Sequence, residues 1–155
     1  MMQQPTHIVG IALGSNLDNP QGQIEKAVLF LTHLAFQKKI RVARPILTEP
    51  EDCPPGSPLF VNTVAEMEWA GTPEELLTHL QNYEHESGRP LKRSKNAPRP
   101  IDLDIIYFDN LEIETPQLII PHPRAHLRSF VIEPLREIAP HRVEWLLAKA
   151  QKKGY

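Results

Sequence analysis

The chain contains one cysteine, Cys53, which excludes a disulfide framework and a thiolate zinc centre. Aromatic residues make up only 6%, too few for the stacking platform of an RNA-binding sheet. No apolar run approaches the roughly 18 residues of a membrane span. Residues 1–7 show neither a charged n-region nor an apolar h-region, so no signal peptide is expected and the expected setting is a reducing cytoplasm. The basic excess of a nucleic-acid binder is also missing, with 17 Lys and Arg against 19 Asp and Glu. Glycine is sparse, seven in 155 residues. Neither Gly-x-x-x-x-Gly-Lys-Ser/Thr nor Gly-x-Gly-x-x-Gly occurs, so a phosphate bound here would be held by side chains and metal rather than by a glycine cradle.

What the chain has is proline: 16 residues, about twice the usual fraction. Apolar residues make up 41% and charged residues 23%, the balance of a globular domain, and one domain over 1–155 is expected. His7 to Leu13 is a β-branched run that predicts a buried strand, followed by the polar turn Gly14-Ser15-Asn16. Asn19 suits a helix cap and Pro20 its first position, and the apolar spacing carries that helix to about Ala35. Lys39 to Thr48 predicts one strand, with Pro45 marking an edge or a bulge. Glu49 to Pro58 is a proline-rich loop. Phe60 to Trp69 is a third strand. Thr72-Pro73-Glu74-Glu75 is a capping box for a helix to about Ser87, and Gly88 stops it. Arg89 to Pro100 is a second proline-punctuated loop. Ile101 to Phe108 is a strand, with a turn at Asp109-Asn110 into a short strand around Leu111 to Ile113. Short helical pieces follow Pro121-His122-Pro123. The order predicts an α+β, ferredoxin-like β-α-β-β-α-β fold: an antiparallel sheet, helices packed on one face, and a short C-terminal helical extension.

The chemistry starts at Ile101-Asp102-Leu103-Asp104-Ile105. On a strand Asp102 and Asp104 share a face, with Cα atoms roughly 6–7 Å apart from the rise per residue. Read alone, the pair suits a solvated strand face better than a metal site. The loop before it reverses that balance: Arg89, Lys92, Arg93, Lys95 and Arg99 occur with no acid among them. One ligand satisfies cations and carboxylates together, a polyphosphate with Mg²⁺. Gln81 and Glu84 lie one turn apart on the second helix, beside the core stripe of Leu76, Leu80 and Tyr83 and near the basic loop, although read alone the pair suits a solvated helix face better. Phe60 and Asn62 share a strand face, and a ring beside a carboxamide suits a flat heterocycle, although read alone the pair suits a core ring and an ordinary strand end better. His122, Arg124, His126 and Arg128 form a rim that fits an anion better than zinc, because Pro123 argues against a helix joining the two histidines. A sheet-based RNA binder is the competing reading. It lacks its aromatic octamer here, and the two aspartates would repel phosphate unless metal intervened.

Ala12-Leu13-Gly14-Ser15-Asn16-Leu17, Phe60-Val61-Asn62, Gly88-Arg89 with Ala97 to Ile105, Pro121-His122-Pro123-Arg124 and Arg128-Ser129-Phe130-Val131 stand in an order that resembles the hydroxymethyl-dihydropterin pyrophosphokinase family of folate biosynthesis. The resemblance covers nearly the whole chain and implies transfer of pyrophosphate from MgATP to the pterin hydroxymethyl group, with release of AMP. It implies that Asp102 and Asp104 hold two Mg²⁺ and that Arg89 and Arg99 assist the transfer. Gln81, Glu84, Lys92, His122 and Arg128 match ATP positions. Phe60 and Phe130 would enclose the pterin, Asn62 would read its polar edge, and Thr48 would add backbone contacts. Asn96, Leu91 and Pro123 stand where some members carry Trp, Arg and Tyr. A monomer with at most weak self-association is expected, with no nucleic-acid or membrane partner.

Overall fold

A computed structural model describes residues 5–17, 19–49, 55–56, 58–87 and 100–154. Its elements are β1 (His7–Ser15), α1 (Pro20–Leu34), β2 (Ile40–Val42), β3 (Ile46–Thr48), β4 (Phe60–Trp69), α2 (Pro73–Glu86), β5 (Asp102–Phe108), β6 (Ile113–Glu114), β7 (Ile119–Ile120), α3 (Ser129–Ile138) and α4 (Pro140–Lys153). The two early helices start where their caps lie. Asn19 adopts a left-handed conformation and its side chain accepts from the Gly22 N–H at 3.3 Å. At α2 the Thr72 hydroxyl accepts from the Glu75 N–H at 3.1 Å, while the Glu75 carboxylate accepts from the Thr72 N–H at 3.0 Å. That reciprocal pair holds the Glu75 carboxyl below its ordinary range, first through the Thr72 backbone bond and then through its hydroxyl.

The main sheet is antiparallel, in the order β2-β4-β1-β5, with β3 also pairing β4. The segment expected as a single strand over 39–48 is two short strands on the same edge. Ala43 still donates to Val64 at 3.0 Å, but the Arg44 N–H turns out of the ladder to the Glu137 carboxylate at 3.0 Å. Pro45 has no N–H to return to it.

Alternation along the strands divides the sheet faces. Val9, Ile11 and Leu13 of β1, with Leu103 and Ile105 of β5, pack against Ile24, Ala27 and Leu31 of α1 and Leu76 and Leu80 of α2. The opposite face carries Val64, Ile106 and Tyr107 under Val131 and Leu135 of α3 and Val143 and Leu146 of α4. The C-terminal helical extension, α3 and α4, therefore forms a second layer that covers the other face of the sheet. The unbroken burial of β4 from Val61 to Met67 records the same fact, since a strand covered on one face alone would alternate. Alternation also breaks once within β5. A register shift between Gly10 and Ile11 inserts one extra β5 residue, so Ile106 and Tyr107 both join the α3/α4 side. The Tyr107 ring then lies over Gly10, where a Cβ would stand 2.3 Å from its Cε2, and its hydroxyl donates to the Glu66 carboxylate at 2.5 Å. Burial pushes the Tyr107 hydroxyl well above its ordinary pKa.

Candidate active site

Strand register assembles the site. Gly14 of β1 lies opposite Asn62 of β4 on one side and Asp102 of β5 on the other; Ala12 lies opposite Val64 and Asp104. Phe60, Asn62, Asp102 and Asp104 thus face the same way, on the α3/α4 side of the sheet. Two strand spacings separate the Asn62 row from the Asp102 row, about 10 Å. Between them β1 offers no side chain larger than a methyl group at positions 10, 12 and 14. The result is a shallow trough with an aromatic and carboxamide wall on β4 and an acidic wall on β5.

The β4 wall is tightly built. Asn62 is 6% exposed, and its Nδ2 donates to the Thr48 hydroxyl at 2.6 Å. Its Oδ1 leans over Gly14, where a Cβ would lie 2.8 Å away and 3.8 Å from the Phe60 ring. Only a residue without a side chain admits that approach. Phe130, half-buried at the start of α3, packs against the α3/α4 cluster that also includes Ala12, so it reaches the same face as Phe60.

On the β5 wall, Asp104 is exposed and Asp102 partly so. Glu84 reaches the outer edge of this strand from α2. It is 8% exposed, and its carboxylate accepts from the Leu103 N–H, between the two aspartates, at 2.8 Å. Gln81, one turn earlier, is exposed. The two residues read together on one helix face therefore part company: one stays in solvent, the other is spent on a strand edge. Sequence spacing places both on the helix but cannot report that β5 passes beneath one of them.

His122 follows a cis Ile120–Pro121 bond and is tied to β5 through its backbone, donating to the Ile106 carbonyl at 2.9 Å. Its Nδ1 accepts from the Arg124 N–H at 3.1 Å, so in the neutral ring Nε2 carries the proton. Burial lowers its pKa; the Asp104 charge opposes this, and Arg128 and Arg124 reinforce it. His122, Asp104 and Arg128 therefore share one electrostatic neighbourhood. Arg128 packs its guanidinium 5.6 Å from the Phe130 ring, and its buried Nε has no hydrogen-bond partner among the described residues. A buried cationic N–H of that kind is a ready partner for an anion. Among the described residues no group of three or more His, Cys, Asp or Glu side chains forms a metal cluster. Two carboxylate side chains suit Mg²⁺, which takes one or two protein carboxylates and completes its shell with water and substrate phosphate.

Arg89, Lys92 and Arg99, expected at the ATP phosphates, lie outside the described residues. Ser15 and Asn16, which sequence alone shows only as a polar turn, are fully enclosed. Ser15 is 0% exposed and Asn16 1%; the Ser15 hydroxyl donates to the Pro100 carbonyl, and Asn16 Nδ2 donates to the Pro58 carbonyl at 3.3 Å. The one sequence signal for their burial is that two polar residues directly close a strand buried on both faces.

The family described as 7,8-dihydro-6-hydroxymethylpterin-pyrophosphokinase (HPPK) matches residues 10–140. The chain is 36% identical over 132 residues to the 2-amino-4-hydroxy-6-hydroxymethyldihydropteridine pyrophosphokinase of Pseudomonas aeruginosa, covering 85% of this chain and 80% of that one. The protein of the same name from Haemophilus influenzae is 40% identical over 134 residues, 83% and 79% of the two chains. That of Bacillus subtilis is 38% identical over 135 residues, 85% and 78%.

Proposed function

The chain belongs to the 7,8-dihydro-6-hydroxymethylpterin pyrophosphokinase family, and from that premise we propose how its own residues perform the reaction. The protein is a pyrophosphokinase that transfers the terminal pyrophosphate of ATP to the hydroxymethyl group of 6-hydroxymethyl-7,8-dihydropterin, in folate synthesis. The oxygen of that hydroxymethyl group attacks the β-phosphorus. The bond from the β-phosphorus to the oxygen bridging it to the α-phosphate breaks, AMP leaves with that oxygen, and the hydroxyl proton passes to solvent. The one observation that carries the residue assignment is the cross-strand row Asn62–Gly14–Asp102, which sets a heterocycle wall and a carboxylate wall on one face.

The pterin lies on the β4 wall. Phe60 and Phe130 cover its faces, and Asn62, oriented by Thr48, reads its polar edge with the carboxamide acceptor and its second N–H. Because Thr48 already holds Asn62, this recognition needs no rearrangement on binding. Asp102 and Asp104 would hold Mg²⁺, two ions, which would supply neutralising charge at the phosphates being transferred. Arg128 and the His122 Nε2–H bind phosphate oxygens, with Gln81 and Lys92 on the ATP side. Glu84 serves the ATP side by fixing the β5 edge that carries both aspartates. Arg89 and Arg99 stabilise the transferring group, where positioned cations matter more than a strong base. The domain spans 1–155 and acts as a cytoplasmic monomer with at most weak self-association. Among the described residues no helix is long and apolar enough to cross a membrane.

The test is direct. The purified chain with ATP, Mg²⁺ and the pterin releases AMP and forms the pterin pyrophosphate, seen by ³¹P NMR, and releases no AMP when the pterin is withheld. Release of ADP instead, or AMP formation independent of pterin, overturns the reading.

A further inference from the structure

The polar turn closing β1 has no part in the reaction described above, yet it is as buried as the core. β1 is the central strand, and its ladders end at Ser15↔Val61 toward β4 and Gly14↔Asp102 toward β5. Beyond those rungs both neighbouring chain segments present proline. Pro58 precedes Phe60 by two residues and Pro100 precedes Asp102 by two. A proline offers a carbonyl acceptor and no N–H, so neither can continue a backbone ladder with a donor of its own. The Ser15 hydroxyl and the Asn16 amide donate to those two carbonyls, one on each side of β1. They replace the missing rung with side-chain bonds.

We propose that Ser15 and Asn16 are positioning residues that set the two substrate walls of the site independently: Ser15 fixes the first residues of β5 and hence the metal-binding aspartates, and Asn16 fixes the first residues of β4 and hence the pterin-binding pair Phe60 and Asn62. The assignment of the walls rests on the functional reading above; the anchoring itself does not. The two roles separate because the two donors leave the same turn in opposite directions and hold different segments. A misplacement of about 1 Å between reacting groups costs on the order of 10²-fold in rate, so losing one donor shows in the ligand served by that wall and spares the other.

The experiment uses the full chain as Ser15→Ala, Ser15→Thr and Asn16→Asp, the last removing the donor at constant volume. Amide hydrogen exchange, which needs no substrate, is read first. Ser15→Ala raises exchange at Ile101 and Asp102 and leaves Leu59 and Phe60 unchanged; Asn16→Asp does the reverse. Ligand binding and single turnover are read second. Ser15→Ala lowers the single-turnover rate by about tenfold to a hundredfold and raises the Mg²⁺ requirement, with pterin Kd within twofold of wild type. Ser15→Thr, which keeps the hydroxyl, restores both. Asn16→Asp weakens pterin Kd about tenfold, the scale of one lost hydrogen bond, with MgATP Kd within twofold. If Ser15→Ala does not fold, Ser15→Cys carries the same comparison with a weak donor of similar size. Exchange unchanged at the start of both strands overturns the proposal. So does a loss of both ligands in proportion to a fall in Tm, which is the pattern of a merely structural turn. A wild-type chain that releases no AMP would instead sink the functional reading, and the exchange pattern alone would then decide the anchoring.

Discussion

Gly14→Ala separates recognition from stability, because the added methyl meets one atom of the proposed pterin site. The Cβ would stand 2.8 Å from Asn62 Oδ1, so the carboxamide must retreat by a few tenths of an ångström. It cannot do so freely, since Asn62 is buried and held by Thr48 at 2.6 Å. Gly14 has no positive φ, so the backbone accepts alanine, and the stiffer unfolded chain returns about 0.4–1 kcal/mol. Weakening the Asn62–Thr48 bond costs about 0.5–1.5 kcal/mol. The two nearly cancel, and folding stability should change by less than about 1 kcal/mol. Pterin binding has no such offset. A misaligned carboxamide leaves a polar edge of the ligand unpaired, which costs about 1–3 kcal/mol, roughly a five- to 150-fold rise in Kd by the conversion of about 1.36 kcal/mol per tenfold. Urea unfolding and calorimetric titration of the pterin measure the two quantities, with MgATP titration as the control. Because the methyl acts through Asn62, Gly14→Ala combined with Asn62→Ala should lose no more affinity than Asn62→Ala alone. A folded Gly14→Ala whose pterin Kd stays within twofold of wild type would refute this reasoning. Gly10→Ala is the contrast: its Cβ would fall 2.3 Å from the fully buried Tyr107 ring, and it should lose stability rather than selectivity.

Asp102→Asn and Asp104→Asn should each abolish turnover and weaken MgATP binding at unchanged Tm; near-normal turnover of either at ordinary Mg²⁺ would remove that residue from the metal site. Glu84→Gln keeps the size but weakens the acceptor for the Leu103 N–H, so it should raise the Mg²⁺ concentration needed for half-maximal rate and leave pterin Kd unchanged. Loss of pterin affinity to the same degree would place its effect in the fold as a whole. Lys149 first and Lys153 with it hold the Glu112 carboxyl below its ordinary 4.5. A depressed carboxyl stabilises the fold above its unfolded pKa and loses that contribution as pH falls through the lower folded value. Lys149→Met should therefore lower Tm slightly at neutral pH and shrink the fall below about pH 4.5, with mutant and wild type converging once Glu112 is protonated; an identical profile would show the pair to be screened by solvent.

Several pieces of this protein are legible before any tertiary structure. The bounds of β4, Phe60 to Trp69, come from its apolar run, and the start of α2 from its capping box. The shared faces of Asp102 with Asp104 and of Phe60 with Asn62 follow from the two-residue period of a strand. All of these rest on interactions between residues a few positions apart, so sequence spacing carries them. The resemblance to the pyrophosphokinase family adds the activity without placing any atom. Tertiary structure alone decided the rest. That both pairs meet across Gly14 depends on β1 lying between β4 and β5, which no local period encodes. The same holds for the bulge that turns Tyr107 toward Glu66, and for Glu84 leaving its helix face to meet the Leu103 amide. The covering of the second face by α3 and α4 and the reach of Ser15 and Asn16 to two proline carbonyls belong here as well. Each joins residues far apart in the chain, whose proximity is set by which buried surfaces and unpaired backbone groups must be satisfied together once the chain has folded.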